Sequence, residues 1–363
     1  MNLILLSTPI GFLGSGKGGG VELTLNSLIS GLLRIGHSLK VIAPKNSKLS
    51  SFNSSADLYC VGGFEQESWQ HKDYYAKEFI TKGSLVSLML EKALSLESQS
   101  DMILNLSYDF LPINETLKSD IPIAHLISMG DESYEISNVI AKVYSIYPNN
   151  FAFHTFSQAS DFPFIQNPNV VGNGFELSNY KFQDCKDGPL AWVGRIAPEK
   201  GLEDAVYVAN ELGENLKVWG FIQDHNYASN IENKYPAGLI SWQGYLETNK
   251  LQLELGKCRA LINTPKWNEA YGNVVVEAMA CGVPVVAYKR GGPSELINHG
   301  ETGFLVTPDD KKELALFVKR INEIQREKCR EWVEKNASSK IFAEKVNFWL
   351  TRLIEEYKLK RSI

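Results

Sequence analysis

The feature that most constrains the fold is an alternation of short apolar runs with amphipathic helical stretches along almost the whole chain. Short apolar runs bounded by turn residues are typical of buried strands, and apolar residues at i, i+3 and i+4 indicate helices. The predicted strands cover residues 3–6, 39–43, 102–106, 121–124, 190–193, 216–219, 239–242, 260–263, 283–287 and 304–306. The predicted helices cover residues 21–33, 202–212, 248–256, 273–280 and 310–334. This alternation predicts an α/β fold with parallel sheets covered by helices on both faces.

The length of the chain predicts how these elements are divided. At ~150 residues per domain, 363 residues correspond to about two domains. The turn-rich segment 166–174 separates two βα blocks, so we expect Rossmann-like domains at 1–170 and 171–340, with a ligand site in the cleft between them. Residues 341–363 are predicted to form a last helix whose apolar stripe needs a surface to pack against. That stripe consists of Phe342, Val346, Trp349, Leu353 and Tyr357.

Composition and charge exclude several classes of protein. With 44% apolar and 22% charged residues, the chain is typical of globular proteins and long enough to bury a sizeable core. Its formal net charge of -5 argues against a dedicated nucleic-acid-binding protein, which needs a basic face. The five cysteines form no CxxC pair, so we expect reduced thiols in the cytoplasm and neither a zinc site nor disulfides. No apolar run approaches the ~18–20 residues of a membrane span.

A glycine-rich segment follows the first predicted strand and has two interpretations. Residues 11–17 fit the G-x-x-x-x-G-K pattern of a phosphate-binding P-loop but lack the Ser or Thr that binds Mg²⁺. This near-match would make the chain a non-catalytic nucleotide-binding module. In the interpretation that we favour, Gly18, Gly19 and Gly20 open a helix and let backbone N–H groups approach an anion. A plain flexible loop is the alternative.

Two basic residues follow the first predicted strand of the second half, in the sequence WVGRIAPEKG. The Arg195 guanidinium can bind a phosphate through two hydrogen bonds, and Lys200 adds a compact positive charge. Together they are predicted to neutralise a diphosphate. The alternative is a surface ion pair and a solvated lysine.

A third cluster lies where a loop leads into another predicted helix. Gly272 and Asn273 mark the helix start, with Asn273 as the expected N-cap. The backbone amides at Tyr271–Val274 would then present the positive end of the helix to a phosphate or sugar oxygen. Glu277 is predicted to accept two ribose hydroxyls, and Glu269 to hold hydroxyls of a transferred sugar. Stabilisation of the helix dipole alone is the alternative for Glu277.

Seven residues separate Glu269 from Glu277, and the helix continues into the sequence AMACGVPVVA. This segment resembles the E-x7-E signature of the family 4 retaining glycosyltransferases, which have the GT-B fold. Further matches follow in the family's order: GGVE at 19–22, GH at 36–37, GNGFE at 172–176, VGRIAPEKG at 193–201, GGPSE at 291–295 and TGFLV at 302–306. The resemblance implies that 1–170 binds the acceptor and 171–340 the nucleotide sugar. It also implies that the helix 341–363 packs back on the first domain.

The same resemblance assigns the contacts of a UDP-sugar donor. Arg195 and Lys200 would bind the diphosphate of the donor. Glu277 would hold its ribose, and Glu269 its sugar.

Other donor contacts follow from the same resemblance. Gly19 and Gly20 would close over the phosphates, and the loop of Leu246 would frame the uracil. His125, which follows the sequence IPIA, matches a family histidine beside the donor sugar. A histidine satisfied by its neighbours at a strand end is the alternative.

The family also implies that the configuration at the anomeric carbon is retained. The sequence contains no D-x-D motif, the usual metal–diphosphate device of the other main glycosyltransferase fold, so metal-independent transfer without a cofactor is predicted. Glu269 is the only candidate for a carboxylate nucleophile. We favour a sugar-holding role for it and transfer on the front face of the sugar.

The opening sequence STPIGFLGSGKGGGVELTL resembles that of the UDP-glucose:tetrahydrobiopterin glucosyltransferases, which glycosylate a pterin. The resemblance implies a glucose donor and a small pterin acceptor. A planar pterin would suit aromatic and thioether side chains. The candidate acceptor residues at predicted strand ends are Ser7, Asn105, Tyr108, Asp109 and Met129. The alternatives are a lipid or polysaccharide acceptor, and a phosphorylase-like relative that carries pyridoxal phosphate.

Overall fold

A computed structural model describes residues 1–15, 18–65, 67–69, 72–77 and 83–361. The chain forms two compact units. Unit 1 comprises Met1–Phe175 together with Ser339–Ile363, and unit 2 comprises Glu176–Ser338.

Each unit is built on one sheet, and all the described strand pairs within the two sheets are parallel. The strands, numbered along the chain, are β1 (Asn2–Leu6), β2 (Ser38–Pro44), β3 (Asp57–Val61), β4 (Met102–Asn105), β5 (Ile123–Leu126), β6 (Phe151–Phe153), β7 (Asn169–Val170), β8 (Leu190–Val193), β9 (Leu216–Trp219), β10 (Ile240–Gly244), β11 (Ala260–Asn263), β12 (Val285–Tyr288) and β13 (Gly303–Val306). The strand order is β3-β2-β1-β4-β5-β6-β7 in unit 1 and β10-β9-β8-β11-β12-β13 in unit 2. The order reverses between β1 and β4 and again between β8 and β11, so each unit has the topological switch point of a doubly wound sheet.

Helices alternate with these strands, which confirms the predicted α/β class. They are α1 (Gly19–Arg34), α2 (Leu85–Leu94), α3 (Phe110–Glu115), α4 (Tyr134–Tyr144), α5 (Phe156–Ser160), α6 (Leu202–Leu212), α7 (His225–Lys234), α8 (Thr248–Gly256), α9 (Asn273–Ala280), α10 (Pro293–Leu296), α11 (Lys311–Lys319), α12 (Arg326–Asn336) and α13 (Ser339–Arg361). None of the helices in the described ranges combines the length and the apolar content that a membrane crossing requires.

Strand β1 shows why the sheet of unit 1 is covered on both faces. Leu3 and Leu5 belong to a buried cluster that contains residues of α1. Ile4 and Leu6 point to the opposite face and belong to a cluster that contains residues of α2. Because side chains alternate along a strand, a run that is apolar at every position requires an apolar layer on each side.

The last helix, α13, packs on unit 1, as predicted. Four members of its apolar stripe lie in the same buried cluster as α1: Phe342, Val346, Trp349 and Leu353. The indole N–H of Trp349 donates to the Asn149 carbonyl at 2.7 Å, and the hydroxyl of Tyr357, the fifth member, donates to the Asp120 carbonyl at 2.7 Å. The amphipathic pattern of the last helix therefore finds its partner surface in the first half of the chain.

The predicted element map is wrong over 310–334 and omits several short helices and strands. The helix predicted over 310–334 is interrupted between α11 and α12, where Ile321 and Ile324 are both buried and a short 3₁₀ turn covers Ile321–Glu323. Ile324, directly after the turn, has φ -80° and ψ 128°, an extended backbone that cannot continue a helix. The sequence also did not predict β3, β6 and β7, which are edge or very short strands.

Candidate functional site

Three predicted functional residues lie at the carboxyl edge of the sheet in unit 2. Strands β8 and β11 are neighbours at the switch point, the place where parallel sheets of this kind bind ligands. The loop after β8 carries Arg195 and Lys200, and the loop after β11 carries Glu269. The fold therefore brings two cations and a carboxylate to one edge of one sheet.

Hydrogen bonds join these two loops. The Thr264 hydroxyl donates to the Gly201 carbonyl at 2.7 Å, and the Lys266 backbone N–H donates to the Glu199 carbonyl at 2.8 Å. Gly201 has φ +66°, and a Cβ atom there would lie 2.0 Å from the Thr264 carbonyl oxygen. This backbone conformation and this close approach both require glycine. The two loops are thus held together by hydrogen bonds to backbone carbonyls.

The Lys200 ammonium forms an ion pair with the Glu269 carboxylate and lies 4.7 Å from the centre of the Trp267 ring. Both charged side chains are largely buried. Burial acts to raise the pKa of Glu269, but neighbouring cations, Lys200 first, outweigh it and hold that pKa below its ordinary value. Glu269 is therefore an ionised carboxylate, suited to accept hydrogen bonds from sugar hydroxyls.

The Arg195 guanidinium donates to the Gln223 side chain and forms an ion pair with Glu199 at 3.2 Å. Its positive charge contributes to the lowered pKa of Glu269. The side chain is 30% exposed, so it is oriented by its partners and still open to solvent. This arrangement suits an incoming phosphate. Binding of a diphosphate by Arg195 and Lys200 stays a prediction.

Helix α9 begins at the end of the loop that carries Glu269. Its N-cap is Gly272, with φ +97°, and Asn273 is the first helical residue. The prediction of Asn273 as N-cap is wrong by one position, because the left-handed backbone at the cap selects glycine. Buried Tyr271 precedes the cap, and Val274 lies in the first turn. The amino end of α9, with its positive dipole, thus directly follows the Glu269 loop.

Glu277 lies in the second turn of α9 and is buried, with 8% of its surface exposed. Its Oε1 atom accepts a hydrogen bond from the Tyr180 hydroxyl at 3.1 Å. Burial raises the pKa of Glu277 to about 7, although the bond from Tyr180 acts to lower it. Sequence reasoning missed Tyr180, because 97 positions separate the two residues and no local pattern links them.

An aromatic surface borders this site. Leu246 is half-buried in the loop after β10, and the neighbouring Tyr245 ring stacks on Phe221 with centroids 4.3 Å apart. The Phe221 carbonyl accepts from the Ile196 N–H at 2.9 Å, so the stack lies beside the loop of Arg195. Contact of Leu246 with a uracil stays a prediction.

In unit 1, the predicted phosphate-binding glycines open α1. Gly19 and Gly20 are its first two residues, and Gly19 has φ +53°. The Gly14 N–H donates to the Glu22 carboxylate, so the glycine-rich loop folds back on the first turn of α1. Lys17, on which the P-loop interpretation depends, lies outside the described residues. The role of Gly19 and Gly20 over phosphates stays a prediction.

His125 lies inside the sheet of unit 1 and is fully buried. Its Nδ1 atom is 3.0 Å from the amide nitrogen of Asn105, and its Nε2 atom is 2.7 Å from the Thr116 hydroxyl. The ring also stacks on Phe151, and burial lowers the pKa of His125 to about 3. His125 is thus a neutral ring with both nitrogens in hydrogen bonds. This matches the alternative interpretation, a histidine satisfied by its neighbours at a strand end. A catalytic role beside the donor sugar stays a prediction that these contacts do not support.

Three of the five predicted acceptor residues, Tyr108, Asp109 and Met129, each serve the fold of unit 1. The hydroxyl of buried Tyr108 donates to the Gly130 carbonyl at 3.0 Å. Asp109 caps α3 by accepting from the Leu111 N–H at 3.2 Å. Met129 is partly buried against the core around Tyr108. All three lie near the carboxyl ends of β4 and β5, but their contact with an acceptor stays a prediction.

A polar aromatic cluster beside these residues escaped the sequence reasoning. The Tyr74 hydroxyl donates to Asp131 at 3.1 Å, and the rings of Tyr75 and Tyr134 pack against Tyr74. Burial raises the pKa of Asp131, and burial together with nearby carboxylates raises that of Glu132. The separation of 57 positions between Tyr74 and Asp131 leaves no sequence signal for this contact.

Within the described ranges, no group of three or more His, Cys, Asp or Glu side chains is placed to hold a metal ion. The five cysteines are free thiols, and three of them are buried.

Solved structures share this fold over nearly the full chain. The structure of Anabaena HepE in complex with UDP and glucose matches with a TM-score of 0.72 and 18% identity, covering 97% of this chain and 99% of that one. Sucrose-phosphate synthase from Thermosynechococcus elongatus matches with a TM-score of 0.68 and 16% identity, covering 100% and 98%. Both are GT-B glycosyltransferases, so the predicted GT-B fold is confirmed.

Sequence comparisons match part of the chain to glycosyltransferases. Residues 184–339 match the family model Glycosyl transferases group 1. The chain is 28% identical to the 2-deoxystreptamine N-acetyl-D-glucosaminyltransferase of Niallia circulans over 35% of its length. It is 24% identical to a probable sucrose-phosphate synthase of Thermosipho melanesiensis over 54% of its length. These matches span 34% and 49% of the two relatives. The segment that matches the family model carries Arg195, Lys200, Glu269 and Glu277 of unit 2.

Proposed function

We propose that this protein transfers a hexose, glucose in the first instance, from a UDP-sugar to a small acceptor. The observation that carries the proposal is the juxtaposition of Arg195, the Lys200–Glu269 ion pair and the amino end of α9 at one sheet edge. Phosphate oxygens are bound by such cations and helix ends, and sugar hydroxyls by such carboxylates. The UDP and glucose bound to HepE, a protein of the same fold, support the same choice of donor.

The reaction breaks the bond between the anomeric carbon and a phosphate oxygen. Negative charge then grows on the leaving diphosphate, and positive character grows on the sugar. Arg195, Lys200 and the amides at the start of α9 are oriented before the substrate binds, so they stabilise the leaving group with little reorganisation. A donor of this kind contributes ~3–4 kcal/mol in comparable oxyanion sites. These groups suffice for transfer without a metal ion, which is part of the proposal.

Glu277 is proposed to hold the ribose. A buried carboxyl with a pKa of about 7 pairs well with vicinal hydroxyls, because it accepts and donates hydrogen bonds near neutral pH. The Tyr180 hydroxyl donates to the Oε1 atom of this carboxyl and orients it.

Glu269 is proposed to hold the transferred sugar and not to attack it. Its charge is shared with Lys200 in a close ion pair, which weakens it as a nucleophile. Transfer on the front face of the sugar follows, with a phosphate oxygen of the leaving group taking the proton from the acceptor. The anomeric configuration of the product, measured by NMR, tests this step: a β-glycoside from an α-linked donor would refute it.

The acceptor is proposed to be a reduced pterin of the tetrahydrobiopterin type, bound by unit 1. The opening sequence supports this acceptor, as does the cluster of Tyr74, Tyr75 and Tyr134 around a carboxylate. Tyrosine rings offer flat surfaces for a planar heterocycle, and a carboxylate can accept hydrogen bonds from its N–H edge.

Binding of UDP, measured by calorimetry, tests the donor site. Arg195→Ala and Glu277→Ala are each expected to weaken UDP binding about 10- to 100-fold, the usual loss for hydrogen bonds to charged groups. Arg259→Met is the matched control, because it removes the Arg259–Glu214 ion pair of unit 2 at the opposite end of β11. Unchanged affinity in both test variants would refute the proposed donor site.

Product analysis tests the reaction itself. The protein is incubated with UDP-, GDP- or ADP-glucose and with reduced pterins, lipids or glycans, and products are identified by mass spectrometry. Glucosylated pterin from UDP-glucose, formed also after metal removal with EDTA, is the expected result. Transfer only to a lipid or glycan would refute the pterin acceptor, and activity lost with EDTA and restored by Mn²⁺ would refute metal independence.

A further inference from the structure

We propose that Lys266 is a positioning residue that holds the Glu269 loop in place when the donor draws Lys200 away. The inference rests on the proposed function of the same site. It depends on contacts between the Glu269 loop and the rest of unit 2. None of the residues proposed to bind the donor takes part in these contacts.

The Lys266 ammonium has two carboxylate partners on two other elements. It forms an ion pair with Asp204 of α6, and it lies 2.9 Å from Asp309, which follows β13. The Asp204 side chain is only 5% exposed and also accepts a bond from the Tyr288 hydroxyl at 2.6 Å. The loop after β11 is therefore tied by charge to the body of unit 2.

Arg290 closes the same network from the loop after β12. One end of its guanidinium donates to the Pro265 carbonyl at 2.8 Å, and the other donates to Asp309 at 2.7 Å. Asp309 has φ +67°, a left-handed backbone that is uncommon outside glycine. Such a conformation persists where the surrounding contacts require it, and here it aims one carboxylate at both Lys266 and Arg290.

The need for this second anchor follows from the ion pair at the site. In the free protein, Lys200 holds Glu269 directly. A diphosphate competes for the Lys200 ammonium, so donor binding weakens that hold at the moment when Glu269 must orient the sugar. Lys266 lies three positions before Glu269 and keeps its own carboxylates, so the loop retains a charged anchor. Loss of the Lys266 side chain should therefore disturb the position of the bound sugar more than that of the UDP moiety.

The experiment compares Lys266→Met with the control Arg259→Met, which removes a different ion pair of unit 2. Affinities for UDP and UDP-glucose are measured by calorimetry, and kcat and KM by product formation. For Lys266→Met we expect kcat to fall roughly 10- to 100-fold, as for a misplaced catalytic group, with UDP affinity changed less than about threefold. The affinity advantage of UDP-glucose over UDP should shrink, and Lys266→Arg should restore most of the activity.

Asp309→Asn provides a second variant should Lys266→Met fail to fold, because Asp309 is half exposed and asparagine keeps its shape. It is expected to change kcat in the same direction by a smaller factor. Three results would overturn this inference without overturning the proposed function. They are an equal loss of kcat in Lys266→Met and Arg259→Met, a parallel fall of UDP affinity and kcat in Lys266→Met, and no rescue of activity by Lys266→Arg. A wild-type protein that neither binds UDP nor transfers a sugar would overturn the proposed function, and the inference with it.

Discussion

Replacement of Glu277 by glutamine tests the buried carboxyl on which the ribose site depends. Burial raises the pKa of Glu277 from 4.5 to about 7 in the folded protein. In the unfolded chain the same carboxyl ionises near 4.5, so between these two values the folded protein binds more protons than the unfolded chain. The stability that this proton contributes is fully present below pH 4.5 and is lost as the pH rises through about 7.

The size of this loss follows from the shift. A change from 4.5 to about 7 corresponds to about 3–4 kcal/mol, at ~1.4 kcal/mol for each pKa unit. Glutamine cannot ionise, yet its carbonyl oxygen can accept the same bond from Tyr180. The Glu277→Gln protein should therefore nearly match the wild type at about pH 4.5 and exceed its free energy of unfolding by about 3–4 kcal/mol at about pH 8.5.

The assay is urea unfolding of both proteins at the two pH values, followed by tryptophan fluorescence. Glu327→Gln, which changes an exposed carboxylate of α12, is the control and should show no such pH-dependent gain. A gain for Glu277→Gln of less than about 1 kcal/mol between the two pH values would contradict a protonated carboxyl at this position. The variant should also bind UDP less tightly, which would make Glu277 a residue that gives up stability for function.

Three further predictions concern stability. Burial lowers the pKa of His125 to about 3, so the folded protein loses stability as the pH falls below 6.5; in urea unfolding at about pH 4, His125→Gln should reduce this loss by about 3 kcal/mol. Leu350→Ala, in the core that joins α13 to unit 1, should cost about 2–5 kcal/mol of unfolding free energy, whereas Leu359→Ala at an exposed position of α13 should cost little. Gly201→Ala should lower the melting temperature and weaken UDP binding, because its Cβ would overlap the Thr264 carbonyl; unchanged values would contradict the close contact of the two loops.

Much of the fold could be predicted because its elements are long enough to show a period. The helices predicted at 202–212, 248–256 and 273–280 have the bounds of α6, α8 and α9. Strands β6 and β7, with three and two residues, are too short to show any period. They are added to the sheet by pairing with neighbours, and pairing is a long-range interaction that no local pattern reports.

The candidate site in unit 2 could be predicted in part from the topology of its sheet. Arg195, Lys200 and Glu269 follow strand ends, and parallel strands bring their carboxyl ends to one edge, so their approach follows from topology. Their pairing does not follow from topology. The contacts of Tyr180 with Glu277, and of Lys266 with its two aspartates, depend on side chains far apart in sequence. In unit 1, the acceptor residues were predicted only from their position at strand ends. The structure shows that their side chains make contacts within the fold.

Each cation of the proposed donor site has an acidic partner in the free protein. Arg195 is held by Glu199 and Lys200 by Glu269. Such partners orient the cations and offset part of their charge, so a diphosphate exchanges one set of oxygens for another and little reorganisation is needed. The same carboxylates can take the cations back after transfer, when the sugar has left and UDP must dissociate. An anion site without these acids would bind UDP more tightly and release it more slowly, and product release limits the turnover of many enzymes. The paired acids therefore belong to the chemistry of the site as much as the cations do.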